Sequence, residues 1–153
     1  MKKRTAPPDE VLGLLKVTQT DIYGHVRGFP YRIIAIPENV SLYDLGHAIL
    51  SAFGFDFDHL FGFYDNFHRY YHAQEGYELW SGTGLRGRFP DIKRAKIATV
   101  FPEPKKKMLF VYDYGDEWRF VVQSKGRALP VEGVKYPVVI ESCGDNPDQY
   151  PDG

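Results

Sequence analysis

The chain carries one cysteine, Cys143, so no intrachain disulfide can form, and that suits a reducing compartment. Its neighbours in Ser142-Cys143-Gly144-Asp145 supply no positive charge to favour a thiolate, so Cys143 reads as unreactive. No run approaches the roughly 18 apolar residues of a membrane-spanning helix. The start, Met1-Lys2-Lys3-Arg4, has the charge of a signal peptide, but Asp9 and Glu10 interrupt the apolar stretch that should follow. A cytoplasmic protein with no membrane partner is the expectation. An excess of one charge is also missing: 19 basic residues face 20 acidic ones, for a net charge of −1. Such balance removes any general attraction to nucleic acid or anionic lipid. The phosphate-cradling patterns GxxxxGK[ST] and GxGxxG are absent, as are the GxSxG nucleophile elbow and the CxxC zinc pair. No cofactor is expected.

Aromatic residues are what the chain has in excess, at 16%, with 11 Tyr, 11 Phe and 2 Trp. That richness argues against disorder, which goes with few aromatics. A length of 153 residues is usual for one domain. Residues 1–10 read as a flexible N-terminus and residues 11–153 as a single domain. Weak alternation over 12–19 and the β-branched run 31–36 predict two strands joined as a hairpin across Gly24 and Gly28. The clearest helix is predicted over about 42–53. Ser41 is its N-cap, Asp44 an acidic capping-box partner and Gly54 its C-terminal stop. Leu42, Leu45, Ile49, Ala52 and Phe53 share one face, with Asp44, His47 and Ser51 away from it.

Residues 55–64 alternate Asp56 and Asp58 with aromatics and are expected to be extended. A turn-rich stretch follows over 65–76, then a short strand over 77–80 and a helical turn over 97–101. Residues 108–113 and 118–123 predict two strands joined across Tyr114-Gly115-Asp116-Glu117, with Gly115 assigned the positive φ of the turn. Trp118, Phe120 and Val122 share one face of the second strand. A last strand is expected over 138–141. Strands on both sides of one long helix predict an α+β fold, a mostly antiparallel sheet with that helix packed on one face.

Asp113, Asp116 and Glu117 fall within five residues, close enough for carboxylates to share a hard cation or act as an acid and base pair. The simpler alternative is a turn in which Asp bonds its own backbone while Trp and Tyr fill a core. His59 follows two aspartates and reads as a structural histidine beside a carboxylate. His68 and His72 have the i, i+4 spacing of a zinc pair, without the Glu of HExxH. The glycine-rich segment Gly82-Thr83-Gly84-Leu85-Arg86-Gly87-Arg88 lacks the strand and helix that would frame a phosphate loop. Arg86, Arg88, Lys93, Arg94 and Lys96, near aromatics, would suit single-stranded nucleic acid. Lys105-Lys106-Lys107 reads as a solvated loop.

Several of these motifs, in order, resemble the plasmid pRiA4b ORF-3-like family. They are Ser41-Leu42-Tyr43-Asp44-Leu45, Ala52-Phe53-Gly54-Phe55-Asp56, His59-Leu60-Phe61-Gly62-Phe63 and Tyr112-Asp113-Tyr114-Gly115-Asp116-Glu117-Trp118. Tyr136-Pro137 and Asn146-Pro147-Asp148-Gln149-Tyr150-Pro151 extend the likeness, which runs from about residue 12 onward. The resemblance implies an α+β fold and a mobile-element association, and it brings no agreed catalytic residues. The resolvase label carried by some members does not transfer, because neither a serine-arginine active site nor a helix-turn-helix is present. Relatives look like Asp-Trp-Arg-His after the turn, where this chain has Trp118-Arg119-Phe120.

The reading that follows is a non-catalytic binding or interaction module for a protein or nucleic-acid partner. Its candidate surface is Asp58, His59, Tyr64, Asp113, Tyr114, Asp116, Glu117 and Trp118. The alternatives are a metal-dependent hydrolase of phosphodiesters using Asp113, Asp116 and His59, and single-stranded nucleic-acid binding through residues 86–107.

Overall fold

The alternation along the chain becomes seven strands of one antiparallel sheet in a computed structural model that describes residues 11–79 and 88–151. In chain order they are β1 (Leu12–Gln19), β2 (Tyr31–Pro37), β3 (Phe61–Tyr64), β4 (Gly76–Glu78), β5 (Lys107–Tyr112), β6 (Trp118–Ala128) and β7 (Val138–Cys143). The spatial order is β4-β3-β5-β6-β1-β2-β7. One main helix, α1 (Leu42–Ala52), separates β2 from β3, and the single turn α2 (Ile97–Val100) precedes β5. Sheet dominates, so the α+β expectation holds only loosely; this is mostly an antiparallel sheet with one main helix. No helix among the described residues is long and apolar enough to cross a membrane.

Period-2 alternation sends Leu15 and Val17, Ile34 and Ile36, Phe61 and Phe63, Phe110 and Tyr112, and Phe120 and Val122 into one core. The apolar stripe of α1, including Leu42, Leu45, Ile49 and Leu50, joins that core. Full burial of each such side chain contributes about 1.5–3 kcal/mol. The other face carries a smaller cluster, Tyr64, Leu109 and Val111, beneath Phe67, Tyr70, Phe89 and Tyr114.

Ser41 caps α1 as read, accepting the Asp44 N–H at 3.2 Å and donating to the Asp44 carboxylate at 3.2 Å. The helix ends at Ala52, one residue short of expectation, because the Phe53 backbone has already left helical geometry. Gly54 follows at φ +72, the left-handed stop that glycine allows. Two other expectations change. Residues 55–60 form no strand, and the ladder begins only at Phe61, because side-chain groups take the N–H groups of residues 56, 58 and 59. Positive φ in the β5–β6 turn belongs to Asp113 (+61) and Glu117 (+53), not to Gly115. The glycine-rich basic segment lies outside the described residues up to Gly87.

Gly46 lies on the buried face of α1, and a Cβ there would meet the Phe61 ring, with Cζ at 2.6 Å. Phe61 is fully buried and has nowhere to swing. Helix propensity alone would make Gly46→Ala stabilising by about 1 kcal/mol. Overpacking costs about 1–3 kcal/mol, so the variant is expected to lose net stability in urea denaturation.

Candidate functional site

Tyr112 ends β5 with its ring in the main core and its hydroxyl at the sheet end. That oxygen accepts the N–H groups of Asp58 (2.8 Å) and His59 (3.1 Å). Its one proton serves two acceptors, Asp56 O at 2.5 Å and Asp58 Oδ1 at 2.8 Å. Burial pushes the phenol up to about 12, so it stays protonated at neutral pH. The loop thus fixed places His59 Nε2 at 3.4 Å from both Asp58 Oδ1 and Asp113 Oδ2.

Asp113 is held from its own turn. Its Oδ1 accepts the N–H groups of Gly115 (3.1 Å) and Asp116 (3.3 Å), and its carbonyl accepts that of Glu117 at 2.5 Å. Asp tolerates left-handed backbone because its side chain bonds locally in this way. Glu117 is held in the same region by a 2.7 Å ion pair with the buried Arg119.

The C-terminal segment closes the site. Gln149 brackets Asp56, accepting its N–H at 2.7 Å and donating to its carbonyl at 3.2 Å. The Tyr150 hydroxyl donates to Asp58 Oδ2. Hydrogen bonds from Tyr150 and then Tyr112 hold the Asp58 carboxyl below its ordinary value, and the bond to Asp58 raises the Tyr150 phenol. Asn146 Oδ1 accepts from Arg32 Nη2 at 2.5 Å.

The eight residues singled out from sequence therefore fall in three places. Asp58, His59 and Asp113 converge. Asp116, Glu117 and Trp118 line a cleft of about 600 Å³ whose other walls include Gln19, Gln149 and Tyr150. Tyr64 and Tyr114 lie on the opposite face of the sheet. Tyr64, expected at the surface, is fully buried and contacts Glu78 Oε2 (2.6 Å) and the Tyr114 hydroxyl (2.7 Å); burial raises both phenols. Asp116 gives Asp113 a backbone N–H and does not join the pair around His59. Among the described residues no three His, Cys, Asp or Glu side chains are placed to hold a metal ion. His68 is engaged by Ile22 O at 2.7 Å, and His72 lies in a separate 3-10 turn, Tyr70–His72.

The basic region is engaged in part, and Arg94, Lys96, Lys105 and Lys107 are exposed. Arg88 bonds the Tyr71 carbonyl and covers the Phe89 ring, Lys93 lies 4.9 Å from the Tyr43 ring centroid, and Lys106 pairs with Glu75 at 2.9 Å. Sequence reasoning missed Tyr112, Gln149, Tyr150 and the buried Arg32 and Arg119. A signal existed for Arg32, which shares its parity in β2 with the core residues Ile34 and Ile36.

Residues 15–150 match the plasmid pRiA4b ORF-3-like protein family. The chain belongs to that family. No curated protein matches it. Among solved structures it is similar to a protein of unknown function from Methanosarcina mazei Go1. Identity is 25% and the TM-score 0.68, over 87% of this chain and 70% of the other. In this pRiA4b ORF-3-like chain the Tyr112-Asp113-Tyr114-Gly115-Asp116-Glu117-Trp118 motif is thus a strand end, a tight turn and a strand start.

Tyr112→Phe removes the acceptor of two N–H groups and is expected to cost about 1–3 kcal/mol in urea denaturation. Amide exchange at Asp58 and His59 should accelerate in that variant. Tyr150→Phe tests the electrostatics. Because the Asp58 pKa is lowered on folding, its stabilisation is present above the ordinary aspartate range and lost as pH falls through the lowered value. NMR titration should therefore show the Asp58 carboxyl moving upward in Tyr150→Phe, with a weaker acid dependence of stability.

Proposed function

We propose that this protein is a non-catalytic binding module whose cleft receives a lysine- or arginine-bearing segment of a protein partner. One observation carries the reading: the cleft sets the half-buried Trp118 beside Asp116, an exposed carboxylate that no described cation pairs. An indole face and a free carboxylate together attract a cationic side chain, through the ring quadrupole and through charge. Glu117 adds acidity to the same wall, partly neutralised by Arg119. An acidic cleft repels phosphates, so nucleic acid fits this cleft less well. A metal-dependent hydrolase would need Asp58, His59 and Asp113 arranged about a common cation, and among the described residues no such group of three is placed to hold one.

In a Trp80→Phe variant Trp118 is the sole indole, and its emission reports on the cleft. Lysine- and arginine-containing peptides are expected to shift that emission saturably, and glutamate-containing counterparts are not. Asp116→Asn should weaken binding by about tenfold at low salt, with the difference shrinking as salt rises. Equal responses to cationic and anionic peptides, or none to either, would remove the reading.

A further inference from the structure

The face of the sheet opposite α1 is covered in part, where Tyr64, Leu109 and Val111 lie beneath Phe67, Tyr70, Phe89 and Tyr114. Over β6 and β1, strand register decides what that face presents. Gln123 pairs with Lys107 on one side and with Lys16 on the other, so the three form a row across β5, β6 and β1. Lys16 lies between Leu15 and Val17, which enter the core, so alternation turns the row away from it. Two strand spacings set the Cα atoms of the two lysines about 10 Å apart, with Gln123 between them. Thr18 and its partner Val121 follow on the same face.

This row floors a hollow of about 280 Å³. One wall is the loop before β2 set against Phe67: a Cβ on Gly24, at φ +85, would meet the Phe67 Cβ at 2.9 Å. Val26, 41% exposed, and Val121 complete an apolar side. Among the described residues no carboxylate lines the hollow, and neither lysine has an acidic partner. The Lys16 ammonium rests 4.3 Å from the Tyr31 ring centroid, and Lys107 is exposed. Thr18 is a second, independent sign. It is only 8% exposed, yet among the described residues its hydroxyl has no hydrogen-bond partner, and the Gln123 carboxamide has none either. Polar groups set this deep ordinarily have one. The side-chain atoms both unpartnered and sealed from solvent among the described residues are Trp118 Nε1 and Arg119 Nε, so the Thr18 hydroxyl can be reached from the hollow.

The geometry points to an anion site in this hollow that takes a small phosphate monoester bearing an apolar ring. A phosphate above Gln123 meets the Lys16 and Lys107 ammonium groups from two sides. The Gln123 carboxamide and, one step along β1, the Thr18 hydroxyl donate to its remaining oxygens. Phosphate fits better than carboxylate, because the planar carboxylate is matched by the fork of arginine, and among the described residues no arginine lines the hollow. The ring lies against Val26, Phe67 and Val121. Charge also fixes which side of Lys16 the anion takes. The hollow beyond Lys16 contains Asp145, and Glu141 is held at the Tyr31 hydroxyl, so both repel an anion there. Small-molecule sites span roughly 300–1,000 Å³, and this hollow lies at the lower end, which suits one ring and its phosphate. It shares no lining residue with the Trp118 cleft, so either reading can fail alone.

Titration of the isotope-labelled full chain with phenyl phosphate, followed by amide NMR shifts, is expected to saturate. The amides of Lys16, Thr18, Val26, Lys107, Val121 and Gln123 should move together. Benzoate, the same ring with a carboxylate, should bind more weakly. Lys107→Gln should weaken phenyl phosphate by about tenfold at low salt, with a smaller difference at high salt. Thr18→Val keeps the shape without the hydroxyl and should weaken binding by about fivefold, with no fall in the urea midpoint because no bond within the protein is lost. Absence of saturation overturns the inference, as do shifts confined to other residues, equal affinity of either variant and wild type, or benzoate binding as tightly as phenyl phosphate. A single-stranded oligonucleotide that moves the same amides at lower concentration than phenyl phosphate also overturns it, because the face would then serve a polymer.

Discussion

The Tyr112 hydroxyl occupies the point where a strand ladder would ordinarily continue, and it takes the N–H groups of Asp58 and His59 that such a ladder would have used. The geometry of this end of the sheet follows from that substitution. With its N–H groups satisfied by a side chain, the 56–59 loop turns away from the sheet, which brings Asp58 and His59 toward Asp113. The same loop presents Asp56 to Gln149 and Asp58 to Tyr150, so the C-terminal wall of the cleft is fastened to what Tyr112 holds. A phenol suits this position better than a carboxylate or an amine. It accepts and donates through one atom, and burial keeps it uncharged across the physiological range.

Two buried arginines fasten the remaining loops, largely without carboxylates. Arg32 gives its donors to the carbonyls of Ala52, Tyr31 and Cys143 and to the Asn146 side chain, and its guanidinium lies 4.8 Å from the Phe53 ring centroid. Arg119 reaches the carbonyls of Ile22 and His68 as well as Glu117. A buried cation is costly unless its donors are met, and the planar fork of arginine meets several acceptors from one side chain. Lysine at either position would offer fewer donors from a single point, and the loops would lose their common anchor. Among the described residues Arg119 Nε has no acceptor, so the compensation they give is incomplete.

Local signals were legible in the sequence wherever short-range chemistry decides the outcome. Ser41, Asp44 and Gly54 marked the helix, and alternation marked β1, β2, β5 and the start of β6 within a residue or two. The pairing order of the strands was not legible, because β6 lies between β5 and β1 through contacts more than 100 residues apart in sequence for pairs such as Thr18↔Val121. The left-handed residues of the turn were assigned to Gly115 on intrinsic preference. The backbone instead places them at Asp113 and Glu117, where hydrogen bonds within the turn and to Arg119 offset the strain. For the candidate site, clustering along the chain identified Asp113 and its neighbours but could not show that alternation splits them between two faces. Nor could it show that a segment 92 residues after Asp58 supplies its partner, Tyr150.

The aromatic excess has a different meaning once the sheet is seen. One eleven-residue helix is a narrow cover for seven strands, and large rings fill the volume that a second helix would otherwise occupy. Phe53, Phe55, Phe61, Phe63, Phe110 and Phe120 do so beneath α1, linked through ring contacts with centroids 4.9 to 6.3 Å apart. Tyr64, Tyr70, Phe89 and Tyr114 do so on the other face. An aromatic count therefore measures how thinly a sheet is covered before it measures any capacity to bind. What distinguishes Trp118 and Tyr150 is their place at a cleft with carboxylates in its wall, which sets an aromatic surface beside charge.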